Sequence, residues 1–475
     1  MTLGVWPVEK APSFSVGKVL FGILALAFTL RLGLFISAWL ITGDFSVFYS
    51  GDSMSYLQPA KELIESGTFS VAGHPELFRT PGYPLMLVPG LWIGHPELVA
   101  ILLQILLSCA TVWLLYLIAR RISGSERTAL LCAFLYSIEP VSVVYSSLLL
   151  SETLFTFLLV LFLYWLGRHL KSRSTVFLIL SALSLTASAY VRPIGFFLPI
   201  PIGFFLLACL FLRPSRKMKG LVQISLFVLI CFLGTGLWQW RNWQVAGYSG
   251  FATVSAYNLY YFHAGPVIAK KEAIPFYRYL EEEGWSKDEV YYSRHPEQRE
   301  WPQSKRLNYM TREGLKTITE NPGIFIPILA SGMVRVLFDP DAVTYLKIYG
   351  LYPKEGGLLG LAVDKGIVAA IGYMLKERPL LVAALVGFGL ILLQYYLAGA
   401  ALILRRDLIG EEVWLLLLVM GYLLVLSSGA IGLGRFRHPI MPGLAILAGL
   451  GYPVLYHYAR FRNRPGKKNT DGNAL

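Results

Sequence analysis

The sequence predicts an all-α polytopic membrane protein, and three observations lead to that prediction. Hydrophobic residues make up 55% of the 475-residue chain and charged residues only 15%, whereas soluble domains carry about 25% charged residues. The apolar residues form long runs, unlike the short alternating segments of a membrane β-barrel. Helices suit such runs in lipid, because each helix pairs its own backbone groups.

A membrane-spanning helix needs roughly 20 apolar residues, and many runs in this chain approach that length. The predicted spans are 17–41, 97–120, 128–147, 148–167, 174–191, 194–212, 220–240, 379–404, 412–433 and 440–459. Two weaker candidates, 322–338 and 357–376, must both span or both not span, since otherwise the later basic loops would change sides. The prediction is a bundle of about 10–12 spans.

Most Lys and Arg residues fall in short loops between the apolar runs, and such loops face the cytoplasm. The net charge of +13 therefore indicates membrane topology, and no nucleic-acid partner is expected. Both termini are predicted to be cytoplasmic. The four cysteines all lie inside apolar runs, so neither disulfides nor a cysteine metal cluster is expected.

The same pattern divides the chain into four parts. Residues 1–240 form a predicted N-terminal transmembrane module, which includes a first outer loop at 42–96. Residues 241–320 are a polar, aromatic outer-face loop region, and residues 321–462 form a C-terminal transmembrane module. Residues 463–475 are predicted to be a disordered basic tail. The outer loops are expected to contain short helices that lie on the membrane.

Both signs of charge occur at the outward ends of several predicted spans, and ionisable groups at this depth indicate a functional site. Arginine suits a phosphate, because its planar fork makes paired charge-assisted hydrogen bonds. A carboxylate suits a base that takes a proton from a hydroxyl. The carboxylates are Asp52, Glu139 and Glu152, and the cations are Arg79, Arg192, Arg241, Arg435, Arg437 and His438.

Several of these residues also have an ordinary structural explanation. Asp52 could cap a helix that begins near Ser53, and Glu152 could simply favour the N-terminus of its span. Arg79 and the Arg437-His438 pair could be anchors at the membrane surface. What favours a shared site is that all of them are predicted on the same side of the membrane.

The order of several short motifs resembles that of the GT-C membrane glycosyltransferases. An acidic residue, Asp52, follows the first span; then come FRTPGYPL, an SE pair that opens a span, YVRP, WRNWQVAGYSGFATVSAYNLY and GRFRHPIMP. The resemblance extends from Asp52 to Pro442. It is strongest to the bacterial branch related to protein O-mannosyltransferases and to the aminoarabinose transferases that modify lipid A.

This resemblance implies a GT-C type helical bundle that transfers a sugar, with inversion, from a polyprenyl-phosphate donor to a lipid, glycan or protein acceptor. It implies a hexosyl- or pentosyltransferase in a bacterial-type plasma (inner) membrane, with its catalytic face outward. Asp52 matches the proposed base and Glu152 the second acidic position. The substrate-binding residues predicted with them are Arg79, Tyr83, Arg192, Arg241, Asn258, Arg435, Arg437 and His438.

The metal requirement is left open by the resemblance. The mannosyltransferases often have two adjacent acidic residues in the first outer loop, whereas Ser53 follows Asp52 here. No metal ligand is therefore assigned, although a divalent cation is not ruled out by the motif pattern.

Two other functions fit parts of the sequence. A transporter or flippase for lipid-linked glycans would have charged residues at mid-span and an internal repeat, and Arg31 lies deep in the first predicted span. An O-antigen polymerase or ligase would have similar spans and outer arginines. That class would depend on a large outer loop with Arg and His and would not need Asp52.

Overall fold

The computed structural model describes residues 15–212, 217–339, 341–351 and 378–462, together with 368, 369, 372 and 376. The described chain is a bundle of helices, which confirms the predicted all-α class. A two-stranded antiparallel hairpin, Ser70–Val71 and His74–Pro75, is its sheet structure. The predicted tail at 463–475 and most of the weak candidate span at 357–376 lie outside the described residues.

The α-helices are numbered here in chain order over the described residues. They are α1 Val16–Thr42, α2 Ser53–Ser66, α3 Gly82–Ile93, α4 Pro96–Ser123, α5 Glu126–Ser137, α6 Pro140–Tyr145, α7 Glu152–Ser172, α8 Thr175–Val191, α9 Pro199–Phe211, α10 Lys217–Ala246, α11 Val254–Tyr257, α12 Gly265–Lys271, α13 Phe276–Glu282, α14 Asp288–Arg294, α15 Gln303–Glu320, α16 Pro322–Phe338, α17 Ala342–Ile348, α18 Arg378–Leu404, α19 Glu411–Ser427 and α20 Met441–Arg462. Short 3₁₀ turns occur at Phe45–Phe48, Pro193–Gly195, Pro296–Gln298, Arg406–Leu408 and Gly434–Ile440, and a π-helix at Asn258–Ala264.

Within the described residues, 6 helices are long and apolar enough to cross a membrane, or up to 7 if α15 and α16, bent by 100°, count as one span. The six are α1, α4, α7, Pro193–Phe211, α10 and Val386–Leu404. Each coincides with a predicted span. Helices α8 and α19 have 17 residues each, which is just short of the usual length. The number of about 10–12 spans stays a prediction.

One predicted span, 128–147, is wrong as a continuous helix. Helix α5 ends at Ser137, and α6 begins at Pro140. Proline has no backbone N–H to continue a helix, and the Glu139 carboxylate accepts hydrogen bonds from the backbone nitrogens of Val141 (3.1 Å) and Ser142 (2.5 Å). Glu139 is therefore the N-cap of a new helix.

Arg31 has a structural role in the middle of α1. It is fully buried and donates to the hydroxyls of Ser108 (2.7 Å) and Ser142 (2.8 Å) and to the carbonyls of Ala27 (3.0 Å) and Ser137 (2.9 Å). Buried charge is tolerated when it is bonded in this way. Arg31 thus joins α1 to α4 and to the break between α5 and α6, and it gives no support to a transport pathway.

The segment 241–320 folds into short helices around a cluster of aromatic residues. Glu283 lies inside this cluster and accepts hydrogen bonds from the Tyr260 hydroxyl (2.8 Å), Arg294 (3.1 Å) and His295 Nε2 (2.9 Å). Helix α15 packs on the π-helix, where Met310 joins the cluster and Gly314 lies against Leu259.

The start of α3 lies very close to the end of α8. A Cβ atom on Gly82 would be 2.7 Å from the carbonyl oxygen of Tyr190, so only glycine fits there. This contact explains the glycine in FRTPGYPL. It also brings the loop that carries Arg79 to the end of the bundle where α7 begins and α8 ends.

Candidate active site

Asp52 lies between two arginines from distant parts of the chain. Its Oδ1 is 2.8 Å from Arg79 Nη2, and its Oδ2 is 2.8 Å from Arg435 Nη1. Burial raises the pKa of Asp52, but the charges of Arg435 and Arg79 outweigh burial and hold this pKa below its ordinary value. The carboxylate is therefore ionised at neutral pH. Its hydrogen bonds go to these arginines and, in the part of the chain that is described, it makes no side-chain capping bond to α2.

The remaining nitrogens of Arg79 bind the first turn of α2. Nε donates to Ser55 Oγ (2.9 Å) and Nη1 to the Tyr56 hydroxyl (3.1 Å). The guanidinium carbon also lies 4.4 Å from the centre of the Tyr56 ring. A fork bound at three acceptors has a fixed orientation, so Arg79 is a rigid neighbour of Asp52.

A second carboxylate–arginine pair lies nearby, where α7 begins and α8 ends. Glu152 Oε1 is 2.6 Å from Arg192 Nη1. Arg192 Nη1 also donates to Ser151 Oγ (3.3 Å), which in turn lies 3.1 Å from the Tyr56 hydroxyl. Ser151 and Tyr56 therefore connect the two charged pairs through hydrogen bonds.

Three of these charged residues line a cavity whose other walls are mainly apolar. A buried oxygen of Glu152, Oε2, and the Nε of Arg435 have no hydrogen-bond partner among the described residues. Cations beside apolar walls are the chemistry that suits an anionic group attached to a hydrocarbon chain. Its lining residues are Glu152, Phe155, Arg192, Ile194, Leu423, Ser427, Arg435, Phe436 and Pro439.

Tyr83 packs against Tyr56, one of the two residues that connect the charged pairs. Its side chain is fully buried, and its hydroxyl donates to Gln104 Oε1 (2.8 Å). Gln104 Nε2 binds the carbonyls of Ser146 (3.1 Å) and Leu148 (2.7 Å). The Tyr83 ring meets the Tyr56 ring edge-on at 5.0 Å. In this structure Tyr83 contacts the site through Tyr56.

Arg437 and His438 are buried beside the site and are bound by protein atoms. Arg437 Nη1 donates to the carbonyls of Val336 (3.0 Å), Leu337 (2.8 Å) and Asp339 (3.0 Å) at the end of α16. A cation at a helix C-terminus is favourable. His438 Nδ1 lies 2.9 Å from Thr156 Oγ1, and burial lowers the pKa of His438 to about 4.

Two other predicted residues, Arg241 and Asn258, are not brought to Asp52 by the described contacts, nor is Asn242 beside Arg241. Arg241 donates to the carbonyls of Glu76 and Phe69, at 2.7 Å each. Asn242 Nδ2 donates to the carbonyls of Gly250 (3.0 Å) and Phe251 (3.1 Å). Asn258 is exposed at the start of the π-helix.

Sequence reasoning missed Tyr56 and Ser151, which join the two charged pairs. Ser151 lies in the SE motif, so its place beside Glu152 was visible. No pattern in the sequence marks Tyr56, because its role depends on α2 packing against the start of α7.

The donor atoms of the site do not fit a divalent cation. Among the described residues, no group of three or more His, Cys, Asp or Glu could hold a metal ion. Both oxygens of Asp52 bind guanidinium groups, and Glu152 binds Arg192. A cation would have to displace arginines that already neutralise these carboxylates.

Comparison with known sequences gives a partial match. Residues 78–238 match the model of the family described as dolichyl-phosphate-mannose-protein mannosyltransferase. Over 190 residues the chain is 31% identical to an uncharacterized protein of Aquifex aeolicus (strain VF5), which covers 38% of this chain and 37% of that protein.

Comparison with solved structures covers nearly the whole chain. The archaeal oligosaccharyltransferase AglB from Archaeoglobus fulgidus, solved with an inhibitory peptide and a dolichol-phosphate, matches with a TM-score of 0.50 at 14% identity, over 96% of this chain and 52% of that one. The chain has the GT-C fold. A second structure of the Archaeoglobus fulgidus oligosaccharyltransferase, with zinc and sulfate, matches with a TM-score of 0.49 at 14% identity, over 94% of this chain and 50% of that one.

The predicted GT-C type fold is thus confirmed, and part of the chain matches a mannosyltransferase family. This GT-C chain spans about half the length of the solved structures it matches. The family match at 78–238 includes Arg79, Glu152 and Arg192. Asp52 and Arg435 lie outside it, so their place in the site comes from the geometry.

Proposed function

We propose that this GT-C protein is a glycosyltransferase that moves a sugar from a polyprenyl-phosphate-linked donor to an acceptor hydroxyl. The observation that carries the proposal is the position of Asp52, held between Arg79 and Arg435 beside the cavity that Arg435 also lines. A base and a phosphate-binding cation are thus adjacent. The family match and the fold agree with this reaction class.

In this proposal the donor phosphate occupies the charged end of the cavity. Arg192 and Arg435 are its ligands, because both line the cavity and Arg435 Nε is unpaired in the described chain. Phe155, Ile194 and Leu423 form part of the apolar wall that contacts the polyprenyl chain. Arg437 also has unpaired nitrogens, Nε and Nη2, among the described residues, but it is a weaker candidate because it does not line the cavity.

Asp52 acts as the general base. Each carboxylate oxygen keeps a further lone pair beyond the one that accepts from an arginine. As the acceptor oxygen bonds to the anomeric carbon, its proton passes to Asp52. The bond between the anomeric carbon and the phosphate oxygen breaks, and its electron pair leaves with the phosphate. Attack opposite the leaving group inverts the anomeric configuration.

The arginines stabilise the charge that develops on the leaving phosphate. Glu152 holds Arg192 in place through the 2.6 Å ion pair and keeps this partly buried cation neutralised before donor binds. The side chain of Asp52 is 29% exposed, so an acceptor can reach it from the aqueous side. This direction of approach suits a lipid, glycan or protein acceptor at the outer face of a bacterial plasma (inner) membrane.

The proposal is tested with purified protein in detergent micelles. Binding of a synthetic polyprenyl monophosphate is compared with binding of the matching polyprenol, and transfer is measured from a panel of radiolabelled hexosyl and pentosyl polyprenyl phosphates to cell-envelope fractions. The phosphate should bind more tightly than the alcohol, and one donor should label an acceptor. Equal binding of phosphate and alcohol, or no transfer with any donor, would overturn the proposal.

A further inference from the structure

We propose that Arg241 and Glu76 form a clamp that positions Arg79 on Asp52, and that Arg241 does not bind the donor phosphate. The clamp acts on residues 69–79, which include the short hairpin and the turn that carries Arg79. The inference rests on the proposed function only in treating Asp52 as the base. The contacts that define the clamp are independent of it.

Glu76 fixes the backbone of Arg79. Its Oε1 accepts hydrogen bonds from the backbone nitrogens of Phe78 (2.5 Å) and Arg79 (2.7 Å). Glu76 is buried, with 8% of its surface exposed. A buried carboxylate needs such donors, so the turn between residues 76 and 79 wraps around this group. The backbone position of Arg79 therefore depends on where Glu76 is held.

Arg241 holds Glu76 from helix α10. Its Nη1 donates to the Glu76 carbonyl and its Nη2 to the Phe69 carbonyl, each at 2.7 Å. The Phe69 carbonyl also accepts from the Glu76 nitrogen (3.0 Å). Phe69 precedes the hairpin and Glu76 follows it, so one guanidinium binds both ends of the hairpin. The guanidinium carbon lies 4.8 Å from the centre of the Trp238 ring, which keeps the fork in place.

The order of contacts then runs from Arg241 to Glu76, from Glu76 to Arg79 and from Arg79 to Asp52. The same turn is anchored on its other side, because the Leu77 carbonyl accepts from the Thr253 nitrogen (2.9 Å). None of the described contacts joins Arg241 to Asp52 directly. Arg241 is therefore a positioning residue whose influence on the base passes through the turn.

The clamp and the phosphate-ligand hypothesis for Arg241 predict opposite results for Arg241→Met. If Arg241 binds the phosphate, the variant should bind polyprenyl monophosphate less tightly and Asp52 should stay paired with Arg79. If Arg241 belongs to the clamp, the variant should keep its affinity for the lipid and Asp52 should be released from Arg79. Two measurements on the intact protein in micelles separate them: binding of polyprenyl monophosphate, and mass-spectrometric footprinting of carboxylates with a carbodiimide and glycine ethyl ester.

We expect Arg241→Met to speed the labelling of Asp52 on the order of tenfold, since losing a charge-assisted hydrogen bond shifts an equilibrium by about that factor. Arg79→Met should do the same, and the Arg79→Met, Arg241→Met double variant should add little to either. Arg192→Met is the matched control, because it should weaken lipid binding without changing the labelling of Asp52. Glu412, paired with Arg121 between α19 and α4, reports whether the fold is intact.

Glu76 supplies a second test that does not depend on the folding of Arg241→Met. Glu76→Gln keeps an oxygen acceptor and should label like the parent, whereas Glu76→Ala should label like Arg79→Met. Unchanged Asp52 labelling in Arg241→Met or Glu76→Ala, or loss of lipid binding in Arg241→Met, would overturn the clamp. If the parent itself fails to bind polyprenyl monophosphate, the proposed function fails, and the labelling of Asp52 still decides the clamp.

Discussion

Arg435 Nη1 lies 2.8 Å from Asp52 Oδ2, and the same side chain lines the cavity between α7 and α19. One guanidinium therefore contacts both the proposed base and the proposed phosphate site. A bound phosphate would compete with Asp52 for Arg435, or would share it through the unpaired Nε. Donor binding and the basicity of Asp52 are coupled by this contact.

Replacing Asp52 should change binding and turnover in opposite directions. In Asp52→Asn, Arg79 and Arg435 lose a competing anion, so polyprenyl monophosphate should bind as tightly as to the parent or more tightly. Transfer should fall by about 10²–10⁴-fold, because general-base catalysis is lost. Both are measured on one preparation, by lipid titration and by release of labelled sugar. Near-parent transfer would show that Asp52 is not the base.

Removing the guanidinium group of Arg435 should weaken donor binding. Arg435→Met should raise the dissociation constant for polyprenyl monophosphate by roughly tenfold to a hundredfold, since a charge-assisted hydrogen bond contributes about 1.5–3 kcal/mol. Arg435→Lys should restore binding only in part, because an ammonium group cannot reproduce the planar fork. The control is Arg299→Met, which removes an exposed arginine of the 241–320 segment. Equal affinities for Arg435→Met and Arg299→Met would remove Arg435 from the phosphate site.

The pH dependence of transfer should reflect the two arginines around Asp52. Because their charges hold the pKa of Asp52 below its ordinary value, the base stays ionised and transfer should persist until the pH falls below about 4, the usual range of an aspartate. Removing one cation raises this pKa, so Arg79→Gln should lose activity at higher pH than the parent. The measurement is the rate at saturating donor across the acidic range. An acid limb that is identical in parent and Arg79→Gln would contradict the assignment.

Transfer should not require a divalent cation. The carboxylates of the site bind guanidinium groups rather than one another, and the described residues offer no cluster of metal-binding side chains. Chelation with EDTA should leave the transfer rate unchanged, and added Mg²⁺ or Mn²⁺ should not raise it. Loss of activity with EDTA that either ion restores would show that a cation replaces an arginine contact during the reaction.

The sequence predicted the helical class, and it singled out the charged residues that the structure brings together in the candidate site, because both depend on local signals; the substrate-binding and catalytic roles of these residues stay predictions. Long apolar runs specify helices in lipid, and Asp52, Glu152, Arg192 and Arg435 each stand at a helix end. The same signals could not separate Arg435 from Arg437. Residues two positions apart on a 3₁₀ turn point in different directions, and only the structure shows Arg437 bound to the end of α16.

The roles of Arg241 and Tyr83 also depended on packing between distant segments. Both were predicted to bind substrate, and that stays a prediction; the described contacts of Arg241 are with hairpin carbonyls and those of Tyr83 with Gln104. A charged or hydroxyl side chain near a span end can form its hydrogen bonds either with a ligand or with a neighbouring backbone group. Sequence alone does not distinguish these two partners.

Substitution of Gly82 should test whether the close approach of α3 to α8 builds the site. A Cβ at this position would lie 2.7 Å from the Tyr190 carbonyl oxygen and 2.9 Å from Val191 Cγ2, so Gly82→Ala must push the two helices apart. Overpacking of this kind costs about 1–3 kcal/mol, and the melting temperature in micelles should fall accordingly. Gly236→Ala is the matched control, since a Cβ there meets nothing within 4 Å and alanine favours a helix. The shift in Gly82→Ala should also move Arg79 away from Asp52 and lower transfer, even under conditions where the protein remains folded. If both variants melt at the parent temperature and transfer equally, this contact does not position the Arg79 loop.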